Sequence, residues 1–202
     1  FENKSLSIDV SLHIGSFLAV VIYFFKDILR FLDNRILFLK IFISSTPVII
    51  IGFLLAETGI IGKLRNLNVI AWTTIIFGIL LYISDKFKLN KNIKNNFTYK
   101  SAIFIGIFQV LSLIPGVSRS GIAITAARLL NFKRIDAAKI SFLLSIPILG
   151  AVSLYGLKNL IFEENLDFTK LNLISILLSF LFSLITIKYF LIFINRFNLS
   201  VF

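Results

Sequence analysis

The stretch Leu113-Ile-Pro-Gly-Val-Ser-Arg-Ser-Gly121 places one arginine, two hydroxyl side chains, two glycines and one proline between two apolar runs. No charged residue occurs from 101 to 118, and the chain is apolar again from 121 to 127. Pro115 and Gly116 are expected to interrupt a helix. Irregular backbone at membrane depth is tolerated only where protein encloses it or where it lines a watery cavity. The stretch therefore predicts a broken intramembrane helix beside a cavity.

Arg119 lies in the middle of this stretch, far from any polar flank. An ionisable residue inside a membrane segment is costly, and it is a functional-site hypothesis by default. We expect a second helix to begin at 118–120, with its free N–H groups and positive dipole end beside the guanidinium. Together with the hydroxyls of Ser118 and Ser120, these groups favour a doubly charged oxyanion, most naturally a phosphate. The alternatives are an arginine that caps the carbonyls of the broken helix and serines that act only as N-caps.

The composition indicates an all-α polytopic membrane protein, because 57% of the 202 residues are hydrophobic and the mean hydropathy is +0.94. The absence of cysteine excludes disulfides and thiolate metal sites, and the single histidine excludes a multi-histidine metal cluster within these residues. The net charge of +11 lies in short loops between apolar segments. The positive-inside rule explains this pattern better than binding to nucleic acid does, so no nucleic-acid partner is expected.

Five uncharged runs are long enough, with their apolar flanks, to cross a bilayer: 10–25, 41–56, 66–84, 140–157 and 171–187. A sixth apolar region, about 101–130, contains the central stretch. Its return arm, 121–130, reaches only about 15 Å, half of the hydrocarbon thickness. We treat 1–202 as a single transmembrane domain in which 101–115 crosses fully or 101–130 forms a re-entrant hairpin.

The distribution of basic residues favours the hairpin. With a hairpin, most lysines and arginines fall on one side of the membrane, and the other side receives only Lys4, Lys63, Arg65, Lys158 and Lys170. With a full crossing the division is more even. The positive-inside rule therefore predicts a hairpin that enters from the cytoplasm.

A weak internal repeat is also present. Residues 11–23 and 141–155 both place small residues in an apolar run that ends in tyrosine, and the predicted topology gives them opposite directions across the membrane. The predicted fold is thus about five spans plus one re-entrant helical hairpin, part of an inverted-topology repeat.

The runs Phe108-Gln-Val-Leu-Ser-Leu-Ile-Pro-Gly-Val-Ser-Arg-Ser-Gly121 and Ser141-Phe-Leu-Leu-Ser-Ile-Pro147 closely resemble the second signature region of the undecaprenyl-diphosphate phosphatases, the bacitracin-resistance family. The resemblance extends over nearly all 202 residues. It implies an inverted repeat with re-entrant hairpins. It also implies an enzyme of the bacterial inner membrane that removes one phosphate from the isoprenoid lipid carrier diphosphate with a divalent cation, Mg or Ca, and so recycles the carrier for cell-wall synthesis.

The resemblance also implies roles for individual residues. Arg119 would bind the diphosphate, and Ser118 and Ser120 would complete the catalytic group. The residues implied or expected to bind substrate are Gly116, Gly121, Gln109 and Thr125. Whether a serine or a water attacks stays open, because no base lies near the serines in sequence. Arg128, near the cytoplasmic end of the return arm, is expected to extend its side chain to the interface.

The chain departs from the family pattern at its beginning. The first signature of the family, a glutamate-rich stretch followed by Pro-Val-Ser-Ser-Thr-Gly-His, would precede Phe1, and the chain contains no methionine. The last span of the family is also expected to follow Phe202. We therefore expect a fragment that is inactive alone and whose metal ligands lie in the preceding part, because no acidic residue lies near the motif.

Two other functions compete with hydrolysis. A secondary transporter for an anionic lipid also uses broken helices and inverted repeats, and a flippase-like protein would bind the lipid phosphate without chemistry. Glutamates and a Ser-Ser-Thr-Gly-His string upstream would favour hydrolysis. The expected partners are the isoprenoid lipid diphosphate and membrane lipid, with a homodimer left open.

Overall fold

The structure is a computed structural model that describes residues 2–33, 35–58, 65–86, 90–162 and 170–201. Most residues in these ranges are helical, and the described residues form no β-strand beyond one isolated bridge. The helices are α1 (Glu2–Tyr23), α2 (Phe25–Asp33), α3 (Arg35–Thr58), α4 (Leu67–Asp85), α5 (Ile93–Asn96), α6 (Tyr99–Val110), α7 (Arg119–Leu129), α8 (Arg134–Phe162) and α9 (Lys170–Arg196). Two 3₁₀ turns, Leu111–Leu113 and Leu199–Val201, complete the described elements.

The polytopic all-α class is confirmed. Among the described residues, four helices are long and apolar enough to cross a membrane, namely α3, α4, α8 and α9. The fifth predicted span, 10–25, falls on α1, whose apolar part Ser7–Tyr23 is shorter than the other four. Pro47 and Pro147 lie inside α3 and α8, as spanning helices tolerate when neighbouring groups satisfy the freed backbone.

Contacts divide the chain into two units, 1–33 with 145–190 and 34–144 with 191–202. In the first unit α1 packs closely on α9. A Cβ on Gly15 would collide with Ile176 O, and the Ser16 hydroxyl lies 3.0 Å from that of Ser179 and 3.1 Å from that of Ser183. Small residues and hydroxyl pairs of this kind hold membrane helices together, because lipid provides no hydrophobic force between them.

The second unit contains the predicted hairpin, formed by α6 and α7. The entering arm runs parallel to α3, since Lys40 Nζ donates to Phe97 O at 2.6 Å and Gly106 packs on the Ser44 backbone. The two ends of the hairpin meet at its base, where Lys91 N donates to Asn131 O and Lys133 N donates to Lys91 O, each at 3.0 Å. These bonds bring the two ends of the helical hairpin together, and its re-entrant position in the membrane stays a prediction.

The structure corrects one local expectation and leaves others as predictions. The basic residues were expected in short loops between the apolar segments, and the first such loop would carry Lys26, Arg30, Arg35 and Lys40. Helix α2 and the start of α3 occupy this segment instead. The helical hydrogen bond from Ile28 N to Phe24 O, 2.8 Å, continues across the α1–α2 junction. The loops at 59–64, 87–89 and 163–169, with their predicted sides, lie outside the described residues. The inverted repeat and the single transmembrane domain stay predictions.

Candidate anion site at the hairpin tip

The tip of the hairpin is a tight turn. Val117 N donates to Ile114 O at 3.1 Å, and Gly116 has φ +92°. Proline at the second position and a positive φ at the third match a type II turn. Only glycine adopts that φ without strain, so the Pro115-Gly116 pair specifies this turn locally.

Helix α4 holds the turn from one side. Thr73 Oγ1 donates to Pro115 O at 2.7 Å, and Thr74 Oγ1 donates to Gly116 O at 3.1 Å. The approach is so close that a Cβ on Gly116 would lie 2.6 Å from Ile70 O. Sequence reasoning missed both threonines. Their only signal was a Thr-Thr pair in an otherwise apolar span.

The N-terminus of α7 follows the turn directly, as predicted. Ser118 is the N-cap, and its Oγ accepts from Gly121 N at 3.2 Å. A Cβ on Gly121 would lie 3.1 Å from Ser118 Cβ, so glycine permits this close cap. The Ser120 hydroxyl lies 3.3 Å from Ser118 Oγ, and both serines are exposed. The bond between the two serines uses one hydroxyl proton, so the other proton of the pair remains available to an outside acceptor.

Arg119 occupies the first position of α7 and is half-buried. Within the described ranges its guanidinium has no hydrogen bond or salt bridge, and no carboxylate faces it. Its side chain therefore combines with the first-turn N–H groups and the two serines into one donor-rich surface. Such a surface suits a phosphate, because each of these groups donates hydrogen bonds and the helix dipole adds positive potential.

Two further predicted residues lie on the arms of the hairpin. Gln109, on α6, is 1% exposed, and its Oε1 has no hydrogen-bond partner among the described residues. Thr125, on α7, is also 1% exposed, and its hydroxyl donates to Gly121 O at 2.8 Å. The Thr125 proton is thus used inside the helix. The roles of both residues in binding substrate stay predictions.

The expectation for Arg128 was wrong. Its side chain does not extend to the interface but is 4% exposed and donates to Phe132 O at 3.0 Å and to Asp85 O at 2.9 Å. It also pairs with the Asp85 carboxylate at 3.2 Å. An arginine near a helix end extends to the interface when it has no buried partner. Here the Asp85 carboxylate at the end of α4 is a buried partner, so Arg128 stays inside.

The described residues do not fit a divalent cation at the tip. Hard cations take several oxygen ligands, usually including carboxylates, whereas the tip offers hydroxyls, an amide and a guanidinium. No group of three or more His, Cys, Asp or Glu residues that could hold a metal ion occurs in the part of the chain that the structure describes. The arrangement can bind and polarise an anion with the protein's own donors.

Comparison with known proteins agrees with this chemistry. The model of a family described as bacitracin resistance protein BacA matches residues 1–202. An undecaprenyl-diphosphatase of Pelagibacter ubique (strain HTCC1062) is 51% identical over 203 residues, which cover 100% of this chain and 79% of the relative. Relatives with the same name are 40% identical in Saccharophagus degradans, covering 97% and 78%, and 36% identical in Jannaschia sp. (strain CCS1), covering 91% and 73%.

Proposed function

The chain belongs to the bacitracin resistance protein BacA family, and on that premise we propose that it hydrolyses undecaprenyl diphosphate to undecaprenyl phosphate and inorganic phosphate. Its long apolar helices make it a multi-pass protein of the bacterial inner membrane, where this reaction returns the lipid carrier to cell-wall synthesis. The substrate is an isoprenoid lipid diphosphate.

One observation supports this function most directly. The hairpin tip presents an arginine without an ion-pair partner among the described residues, in the first turn of a helix that lies within an apolar unit. A half-buried cation that no carboxylate of the described residues compensates favours an anionic ligand, and a lipid diphosphate brings its charges to the membrane on an apolar tail.

Each group at the tip has a proposed task. Hydrolysis joins a water oxygen to the terminal phosphorus while the bond to the bridging oxygen breaks, so negative charge shifts toward the leaving lipid phosphate. One proton of the water stays on the released inorganic phosphate, and the other passes to solvent or to the leaving phosphate oxygen. Arg119 binds diphosphate oxygens bidentately, and the first N–H groups of α7 donate to the same oxygens. The hydroxyl pair of Ser118 and Ser120 donates a hydrogen bond to the diphosphate. Because none of the described residues places a base against these serines, we assign them binding and not attack.

Two expectations about partners remain proposals. A divalent cation, Mg or Ca, is proposed from the family resemblance. The described residues around the tip do not fit such an ion, so the tasks assigned to Arg119, the serines and the first turn of α7 involve only the protein's own donors. A homodimer also stays a prediction.

The alternative functions, a secondary transporter or a flippase-like binder, are not favoured, because the similar proteins carry the name undecaprenyl-diphosphatase and the similarity covers most of their length. The broken helix alone would serve either function. The two classes differ in whether inorganic phosphate is released.

Phosphate release from a C55 or C15 isoprenyl diphosphate, measured with the full-length protein in detergent micelles, tests the proposal. Arg119→Ala is expected to lower kcat/KM by about 10²–10³-fold, with partial recovery in Arg119→Lys, because a point charge replaces a bidentate fork. Arg35→Ala, which removes an exposed arginine at the start of α3, is the matched control and should keep the parent rate. Lipid binding without phosphate release under any divalent cation would instead support transport or binding.

A further inference from the structure

The structure assigns to Thr73 and Thr74 the task of fixing the orientation of the tip peptides, and we propose that they are positioning residues of the anion site. Both carbonyls of the Pro115-Gly116 pair point at α4, because Thr73 Oγ1 donates to Pro115 O and Thr74 Oγ1 donates to Gly116 O. The inference rests on the proposed function for its substrate, a diphosphate. It deepens that function by naming residues outside the motif.

The proton of Thr73 is directed to the turn and not to its own helix. Its Oγ1 lies 2.8 Å from Val69 O, 3.1 Å from Ile70 O and 2.7 Å from Pro115 O. A hydroxyl carries one proton, so it can serve only one of these acceptors well. Val69 O and Ile70 O lie inside α4, where the helix provides N–H donors, whereas Pro115 O lies at the turn. The bond to Pro115 O is therefore the one that satisfies an otherwise unpaired carbonyl.

This bond decides which of two turns the tip adopts. Type I and type II turns differ by a rotation of the central peptide, which reverses its carbonyl and its N–H. Here the central peptide joins Pro115 to Gly116. With Pro115 O held by Thr73, Gly116 keeps φ +92° and its N–H points away from α4, because the carbonyl and N–H of a trans peptide are antiparallel.

A reversed central peptide would harm anion binding. The Pro115 carbonyl oxygen would then point where the Gly116 N–H points now, toward the side of the turn that α4 leaves free. A carbonyl oxygen repels a phosphate oxygen, whereas an N–H donates to it. The threonines thus keep the turn in the state that binds, without touching the ligand themselves.

The expected kinetic effect follows from this two-state turn. If only a fraction of molecules holds the binding-competent turn, the apparent dissociation constant rises by the inverse of that fraction, while bound substrate reacts as before. Thr73→Val, which keeps the side-chain shape and removes the hydroxyl, should raise KM about tenfold and leave kcat within about twofold. Loss of structure alone would instead lower the active fraction, and hence kcat, at constant KM.

The experiment compares four variants of the full-length protein in micelles by phosphate release from a C15 isoprenyl diphosphate. Thr73→Ser should restore the parent KM, and Thr74→Val should raise KM in the same direction as Thr73→Val. Thr46→Val is the matched control, because Thr46 Oγ1 makes the same bond to its own helix, 2.8 Å to Phe42 O, and none to the tip. Parent KM in Thr73→Val, whatever its kcat, would overturn the inference. If that variant does not fold, Thr73→Ala takes its place under the same criterion.

A binding measurement separates this inference from the proposed function. Trp72, the only tryptophan of residues 1–202, adjoins Thr73, and the change in fluorescence that depends on Trp72 reports the binding of a non-hydrolysable C15 methylenediphosphonate. Thr73→Val should bind this probe about tenfold more weakly than the parent does. A parent that binds the probe but releases no phosphate contradicts the phosphatase, and the ratio of the two dissociation constants still decides the role of Thr73. Equal constants would refute it.

Discussion

Replacing Asp85 by asparagine should strongly destabilise the base of the hairpin. The Asp85 side chain is 4% exposed, and its carboxylate accepts from Arg134 Nε at 2.7 Å and from Leu199 N at 2.8 Å. Arg128 Nη2 lies 3.2 Å from the same oxygen that Arg134 contacts. One carboxylate therefore joins the ends of α4 and α7, the start of α8 and the C-terminal 3₁₀ turn.

The magnitude follows from the charge that the substitution leaves behind. Asparagine removes the negative charge and turns an NH₂ group toward donors. Removing one partner of a buried ion pair costs roughly 3–5 kcal/mol, because the other charge remains buried. Arg134 is 32% exposed and can regain water, whereas Arg128 is 4% exposed and cannot. We therefore expect a loss near the lower end, about 3 kcal/mol in the free energy of unfolding.

Thermal unfolding in micelles measures this loss, and about 3 kcal/mol corresponds to a fall in Tm of roughly 6–12 °C for a chain of this size. Asp136→Asn is the control, because Asp136 Oδ1 accepts one backbone N–H, from Ile93 at 3.2 Å. It should cost about 1 kcal/mol or less. In an Arg128→Met background Asp85→Asn should cost clearly less, since no charge is stranded. Equal Tm shifts for Asp85→Asn and Asp136→Asn, or no coupling to Arg128, would refute the reasoning.

Two glycines give further predictions. Gly116→Ala should lower kcat/KM for phosphate release by at least about tenfold. Alanine at φ +92° costs roughly 1–3 kcal/mol, and its Cβ would collide with Thr73 Oγ1. Parent kinetics in this variant would contradict the role of the type II turn in the anion site. Gly106→Val should lower the free energy of unfolding by about 1–3 kcal/mol, since a Cβ there would lie 3.1 Å from Ser44 Cα. Gly78→Val is the control for packing, because a Cβ at Gly78 meets no atom within 4 Å, and a shift equal to that of Gly106→Val would show that close α3–α6 contact is not the cause.

The sequence predicts what local chemistry determines. The Pro115-Gly116 pair predicted the break, and Ser118 predicted the start of α7, because turn and cap preferences act over a few residues. The support of the tip could not be predicted in this way. Thr73 lies 42 residues from Pro115, and in sequence it resembles Thr46, which only bonds to its own helix. Arg128 was misjudged for the same reason, since Asp85 lies 43 residues away.

The two anchors on α4 together fix the distance of the anion site from the base of the hairpin. Thr73 holds the tip and Asp85 holds the base, and along a helix these positions are separated by about 18 Å at 1.5 Å per residue. Helix α7 runs beside α4 in the same direction, with Gly116 near Thr73 and Arg128 near Asp85. Helix α7 therefore cannot slide along α4 without breaking one of the two anchors. This distance from base to tip is more than half of a hydrocarbon core about 30 Å thick. The positive-inside rule predicts that the base of the hairpin, with Lys91 and Lys133, faces the cytoplasm, and on that prediction the anion site lies nearer the opposite face of the membrane.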